Sequence, residues 1–143
     1  MLKFELVKIS DDDISEIEKL RCEVFNFGFS EKNNYYFRKL KEGKIIGIKC
    51  LYEKKLIGGI YLSDSYNSLF VEQLFVSKKY QLSDLKVGSK LLHFIIDNKT
   101  VFEKKFNKQF NVSRLESRNQ DEFYIRNGYI KENHLIDTMK RRI

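Results

Sequence analysis

The chain opens on a short apolar stretch. Phe4, Leu6 and Ile9 sit among polar neighbours, which predicts a strand over 3–9. Ser10-Asp11-Asp12-Asp13 follows, a run of N-cap and first-turn residues whose acidic groups complement a helix dipole. Ile14, Ile17, Leu20, Val24 and Phe25 then recur at helical spacing and predict a helix over 12–26, broken by Gly28. Tyr35, Tyr36, Phe37 and Leu40 predict a second, more polar helix over 30–41.

The centre of the chain reads as strands. Lys44 to Glu53 and Leu56 to Leu62 are apolar runs joined by a short charged turn, the signature of a hairpin. Ser63 to Asn67 reads as a loop and Ser68 to Val76 as a third strand of the meander. Ser77 to Val87 is a charged loop. Gly88 to Asn98 carries Leu91, Leu92, Ile95 and Ile96 on one helical face. Phe110, Val112 and Leu115 alternate as another strand. Asn119 to Glu122 opens a short helix that stops at Asn127-Gly128. Two short apolar pieces, around Tyr129-Ile130 and over Leu135 to Met139, precede a basic end.

The order β-α-α-β-β-β-loop-α-β-α-β predicts an α+β fold with one central, mostly antiparallel sheet flanked by helices. At 143 residues, with no repeat or linker, the chain reads as a single domain over 1–143. Hydrophobic residues make up 42% and charged residues 33%, values of an ordinary globular protein. No apolar run is long enough to span a membrane, and the N-terminus lacks the apolar core of an export signal. A cytoplasmic location, with no membrane partner, is therefore expected.

The net charge of +7 is carried mostly by Lys. A basic balance can mark a nucleic-acid binder. Here it accompanies many Lys, Asn, Ile, Phe and Tyr and no Ala, Pro or Trp, a bias that AT-rich codons alone produce. No reading motif and no Arg cluster beyond Arg141-Arg142 supports nucleic acid, which is ranked last. Cys22 and Cys50 have no metal or redox spacing, and Cys50 reads as a small core residue. His93 and His134 lack a second ligand at metal spacing, so no metal is expected.

Val71 to Leu92 is the informative stretch: a strand ends, a loop turns, and a helix starts at a glycine. A helix N-terminus offers unpaired N–H groups and partial positive charge, a setting suited to phosphate. Lys78, Lys79, Lys86 and Lys90 surround the turn. On its own this is an ordinary helix start. The stretch nevertheless resembles the GNAT superfamily of acyl-CoA-dependent N-acyltransferases. Leu74-Phe75-Val76 is similar to the family's strand end, Tyr80-Gln81 to its polar entry, and Val87-Gly88-Ser89-Lys90-Leu91-Leu92 to its helix start. Leu56-Ile57-Gly58-Gly59 resembles the strand before it, and Phe123-Tyr124-Ile125-Arg126-Asn127-Gly128-Tyr129 the family's Phe-Tyr-x-x-x-Gly-Phe motif. Leu20 to Phe25 resembles the first helix of some members. The likeness spans nearly the whole chain. It departs in a longer pyrophosphate loop, where Leu82 to Lys86 replaces the earlier glycines and Asp84 adds a negative charge, and in Ser117 where most members carry Asn.

The resemblance implies acetyl transfer from acetyl-CoA to an amine acceptor. It implies that Leu74, Phe75 and Val76 pair with the pantetheine arm as an added strand. Gln81, Lys86, Val87, Gly88 and Ser89 would hold the pyrophosphate end, and Asn119 would also touch the cofactor. Backbone N–H groups near Phe75 and Val76 would polarise the thioester carbonyl. Tyr124 would protonate the leaving thiolate; as an aromatic next to Phe123 it is also a candidate core residue. Glu72 is the candidate general base, expected on the same strand face as Leu74 and Val76 and partly desolvated there; an edge carboxylate with a water chain as base is the other reading. The acceptor is expected near Arg21, Glu23, Tyr35 and Tyr36, with Glu23, Glu31 and Glu72 as carboxylates for an amine. The altered loop also fits a GNAT-fold acyl-CoA-binding module with weak or lost catalysis. A homodimer is left open.

Overall fold

The computed structural model describes residues 1–132 and 137–143. Among the described residues, seven strands form one sheet in the order β1-β2-β3-β4-β5-β7-β6. They are β1 (Leu2–Leu6), β2 (Ile46–Tyr52), β3 (Lys55–Ser65), β4 (Ser68–Val76), β5 (Val112–Glu116), β6 (Ile130–Lys131) and β7 (Thr138–Arg142). The helices are α1 (Asp11–Val24), α2 (Tyr35–Lys41), α3 (Val87–Asp97), α4 (Lys99–Phe106) and α5 (Asp121–Arg126). Every neighbouring pair is antiparallel except β4 and β5, which run parallel. The expected α+β class and mostly antiparallel sheet are present. None of the helices is long and apolar enough to cross a membrane among the described residues.

Each face of the sheet carries its own apolar cluster. On one face Ile48, Ile60, Leu62, Leu69 and Val71 pack with Leu91, Leu92 and Ile95 of α3 and Phe102 of α4. On the other, Tyr61 and Phe75 pack with Ile14 and Ile17 of α1 and Phe37 and Leu40 of α2. Alternation along β3 sends Ile60 and Leu62 one way and Tyr61 the other. Gly59 lets α1 come close, because a Cβ there would lie 2.7 Å from the Phe75 ring and 2.8 Å from Ile17. Cys50 is fully buried, as its apolar strand pattern predicts, and burial pushes its thiol up to about 11.

Helix starts agree with the caps. Ser10 Oγ accepts the Asp13 N–H, and Asn34 Oδ1 accepts the Phe37 N–H at 2.9 Å. The boundaries need correction. The first helix stops at Val24, and Asn26, with φ 63°, turns the chain before Gly28 is reached. The second begins only at Tyr35, because Asn34 caps it there. The loop expected over 63–67 shrinks to Tyr66-Asn67, both left-handed, so β3 runs on through Ser65. Helix α4 was not predicted: Phe102 is its single fully covered apolar side chain, too little for a periodic signal. The basic end is strand β7, seated between β5 and β6. The expected apolar piece over Leu135 to Met139 lies outside the described residues up to Ile136, as does His134.

Candidate active site

The parallel pair β4–β5 is short. Leu69, Phe70 and Val71 face Ser113, Arg114 and Leu115, and the pairing ends there. Strand β4 continues to Val76 with β3 alone beside it. The two strands part, and the edge of β4 from Glu72 onward borders a groove. A β-bulge marks the point of separation. Tyr61 pairs with Gln73 and Leu62 with Val71, so Glu72 is the extra residue.

This bulge overturns one expectation. Glu72 does not share a face with Leu74 and Val76. The two apolar side chains pack toward the α3 face. The Glu72 carboxylate accepts a 2.6 Å bond from Ser63 Oγ and faces the α1–α2 side, where its charge, after burial, helps raise the Tyr36 hydroxyl above its ordinary value. Strict two-residue alternation cannot predict this, because the inserted residue resets the period.

The groove has a volume of about 740 Å³ and lies between β4, the start of α3 and α5. Leu74, Phe75, Val76, Gln81, Lys86, Val87, Gly88 and Ser89 all line it. Gln81 donates a 3.0 Å hydrogen bond from Nε2 to the Val76 carbonyl, tying the loop to the strand edge. Gly88 has a packing reason to be glycine: a Cβ there would stand 3.1 Å from Phe123. The ring of Phe123 therefore closes α5 onto α3. Lys86, at the helix start, has φ 52°, a left-handed conformation in which glycine is favoured. Among the four lysines noted around the turn, only Lys86 lines the groove; Lys78 instead bonds Asn26 Oδ1 at 3.0 Å. Asn119 stands outside it, in a neighbouring hollow with Glu122 and Arg126.

Asn127 is a groove residue that its sequence context concealed. It was legible only as a helix stop. In the structure its Nδ2 donates to Ser89 Oγ at 3.2 Å and to the Phe123 carbonyl at 2.8 Å, joining α5 to the helix start. His93 also lines the groove.

A second cavity, of about 840 Å³, opens on the other side of the bulge. Glu72, Gln73, Tyr35, Tyr36, Tyr66 and Phe70 are among its walls. Leu74, Gln120 and Tyr124 line both cavities, so the two meet at Tyr124. Its ring packs 5.1 Å from Phe123 and 6.0 Å from Tyr129, and Tyr129 is anchored by a 2.8 Å hydrogen bond with Ser113. Burial pushes the Tyr124 hydroxyl up to about 12, so it stays protonated at neutral pH.

Tyr35 and Tyr36 stand where an acceptor was expected, but Arg21 and Glu23 do not reach the cavity. Arg21 is buried and grips Glu18 through two hydrogen bonds, 2.7 and 3.0 Å long. Glu18 also accepts from the fully buried Tyr61 hydroxyl at 2.5 Å. Glu31 is taken by Ser15 Oγ at 2.7 Å. Sequence spacing showed Arg21 but not that Glu18 takes its charge behind the Tyr36 ring.

The chain superposes along nearly its whole length on known structures. ElaA of Escherichia coli superposes with a TM-score of 0.72 over 99% of this chain and 100% of its own, at 17% identity. The PaiA N-acetyltransferase of Thermoplasma acidophilum, solved in complex with coenzyme A, gives 0.66 over 99% of both chains at 22% identity. A protein assigned to the GNAT acetyltransferase family from Desulfovibrio desulfuricans gives 0.68 over 98% of this chain and 95% of its own, at 13% identity. The chain has the GNAT fold. No protein-family model and no curated relative matches the sequence. The GNAT likeness read from Leu74 to Leu92 and from Phe123 to Tyr129 therefore agrees with the three-dimensional arrangement, at identities that establish the fold alone.

Proposed function

We propose that the protein is an N-acetyltransferase that moves an acetyl group from acetyl-CoA to a primary amine. The observation that carries this reading is the meeting of two cavities at one half-buried tyrosine. One cavity has a free strand edge and a helix start, the other a carboxylate at a bulge. Acetyl-CoA is a substrate here, not a resident group, and CoA-bound neighbours of the same fold support its choice.

The residues fit that substrate. The edge of β4 from Leu74 to Val76 offers backbone groups to the amides of the pantetheine arm. Val87 to Ser89, the first residues of α3, line the groove, and N–H groups at a helix start suit a pyrophosphate, with the Lys86 ammonium adding charge. Backbone N–H near Phe75 and Val76 stabilises negative charge developing on the thioester oxygen. The amine nitrogen attacks the thioester carbon, the C–S bond breaks, and the Tyr124 hydroxyl gives its proton to the departing sulfur. Glu72 accepts a proton from the amine, directly or through water. Tyr124 regains its proton from solvent before the next turnover.

The replaced glycines favour a second reading, a GNAT-fold module that binds acyl-CoA without turnover. Lys86 stands in a glycine conformation at the point where phosphate would approach. Amine-dependent release of CoA from acetyl-CoA separates the two. Release that scales with enzyme supports the transferase; tight acetyl-CoA binding without release across a broad amine panel assigns the binding module.

A further inference from the structure

We infer that the acceptor is a monocationic arylalkylamine: one primary amine on a short linker to a flat ring, with no carboxylate beside the nitrogen. This rests on the transferase reading above and deepens it. Among the described residues, the charged groups lining the acceptor cavity are Glu72, Glu116 and Arg118, a net charge of −1. That balance neutralises one ammonium and leaves a polyamine's remaining charges uncompensated. An α-amino acid brings a carboxylate within one carbon of its nitrogen. Placing that nitrogen at Glu72 would set two carboxylates side by side, which is unfavourable.

The rest of the wall is aromatic. Tyr66 of the β3–β4 turn and Phe70 of β4 form one pair at 5.1 Å, and Tyr35 and Tyr36 another at 5.1 Å, from the start of α2. Tyr36 is held in place from behind. The Arg21 guanidinium lies 4.6 Å from its ring centroid, fixed by Glu18, and Tyr61 packs 5.5 Å away. A cation already resting on the Tyr36 π-system lowers the attraction of that ring for a second cation. It leaves the ring well suited to an aryl group, through stacking or an edge contact. The ring of the acceptor is thus assigned to Tyr36 and its nitrogen to Glu72, where the cavity reaches Tyr124.

The test measures CoA release at saturating acetyl-CoA with four probes: tryptamine, phenethylamine, phenylalanine and spermidine. Phenylalanine adds only the α-carboxylate to phenethylamine, and spermidine has no ring. Expected is a kcat/KM for an arylalkylamine about tenfold or more above both phenylalanine and spermidine. Tyr36→Leu raises the arylalkylamine KM about three- to tenfold, the size of one aromatic contact, leaves the acetyl-CoA KM unchanged, and Tyr36→Phe restores it. Equal or better use of phenylalanine or spermidine overturns the inference while the transferase stands. So does acetyl-CoA binding, seen by calorimetry, without turnover of either arylalkylamine. Failure to bind acetyl-CoA at all removes the transferase reading and this inference with it.

Discussion

Tyr124 sits where the two cavities join, and its hydroxyl is held protonated by burial. Replacing it with phenylalanine keeps the ring packing on Phe123 and Tyr129 and removes one proton. Tyr124→Phe is expected to lower kcat by about 10²-fold or more with the acetyl-CoA Kd nearly unchanged; unchanged turnover would remove Tyr124 from the chemistry. The sign of the pH effect follows from the same group. With its hydroxyl pushed up to about 12, Tyr124 remains a proton donor throughout the neutral and mildly alkaline range, so it contributes no fall in rate below about pH 10. Glu72 is tested by Glu72→Gln, expected to lower kcat by about 10²-fold with the acetyl-CoA Kd nearly unchanged; unchanged turnover excludes it as the base. Tyr124 was legible from its motif, since Phe123-Tyr124 and Gly128 stand in one short run. The facing of Glu72 was not, because a single inserted residue resets strand alternation and leaves no mark in composition.

Between elements, ion pairs and glycines set the spacing. Lys49 of β2 donates a 2.5 Å bond to Asp13 of α1, and the Lys8 backbone N–H donates to the same carboxylate at 2.6 Å. Burial alone would raise the Asp13 carboxyl; Lys49 and the Lys8 contact outweigh it and hold it below the usual value. A depressed carboxyl stabilises the fold above its unfolded value, near pH 4, and that stability is lost as pH falls through the folded value. Asp13→Asn is expected to cost about 2 kcal/mol at pH 7 in urea unfolding, with the difference shrinking in acid. A cost that stays constant from pH 7 to pH 3 would contradict this. Most strands and both long helices could be read from the sequence because Ile14, Ile17, Leu91 and Leu92 repeat with helical period and the β3–β4 meander alternates. Helix α4 could not, since one buried phenylalanine gives no period. Asn127 was hidden for a related reason: its role as a helix stop and its bond to Ser89 use the same residue.

For the molecule as a whole, the groove and the cavity depend on the same parting of β4 from β5. The short parallel pairing at Leu69 to Val71 fixes the sheet, and the bulge at Glu72 turns the strand away. The two faces of the sheet then divide the work. In the proposed reaction the α3 face would present a helix start to the polyanionic substrate, and the α1–α2 face aromatic rings and a carboxylate to the amine. The basic balance of +7 has a local counterpart in Lys86 at the groove, while the acceptor cavity carries the opposite sign. The most direct measurement is a calorimetric titration of the protein with acetyl-CoA, repeated on Lys86→Glu. Saturable one-to-one binding with a Kd of roughly 1 μM to 1 mM, weakened about tenfold or more by Lys86→Glu, is the expected result. No heat of binding for the parent protein at millimolar acetyl-CoA, or identical binding by the variant, would contradict the placement of acetyl-CoA in the β4–α3 groove.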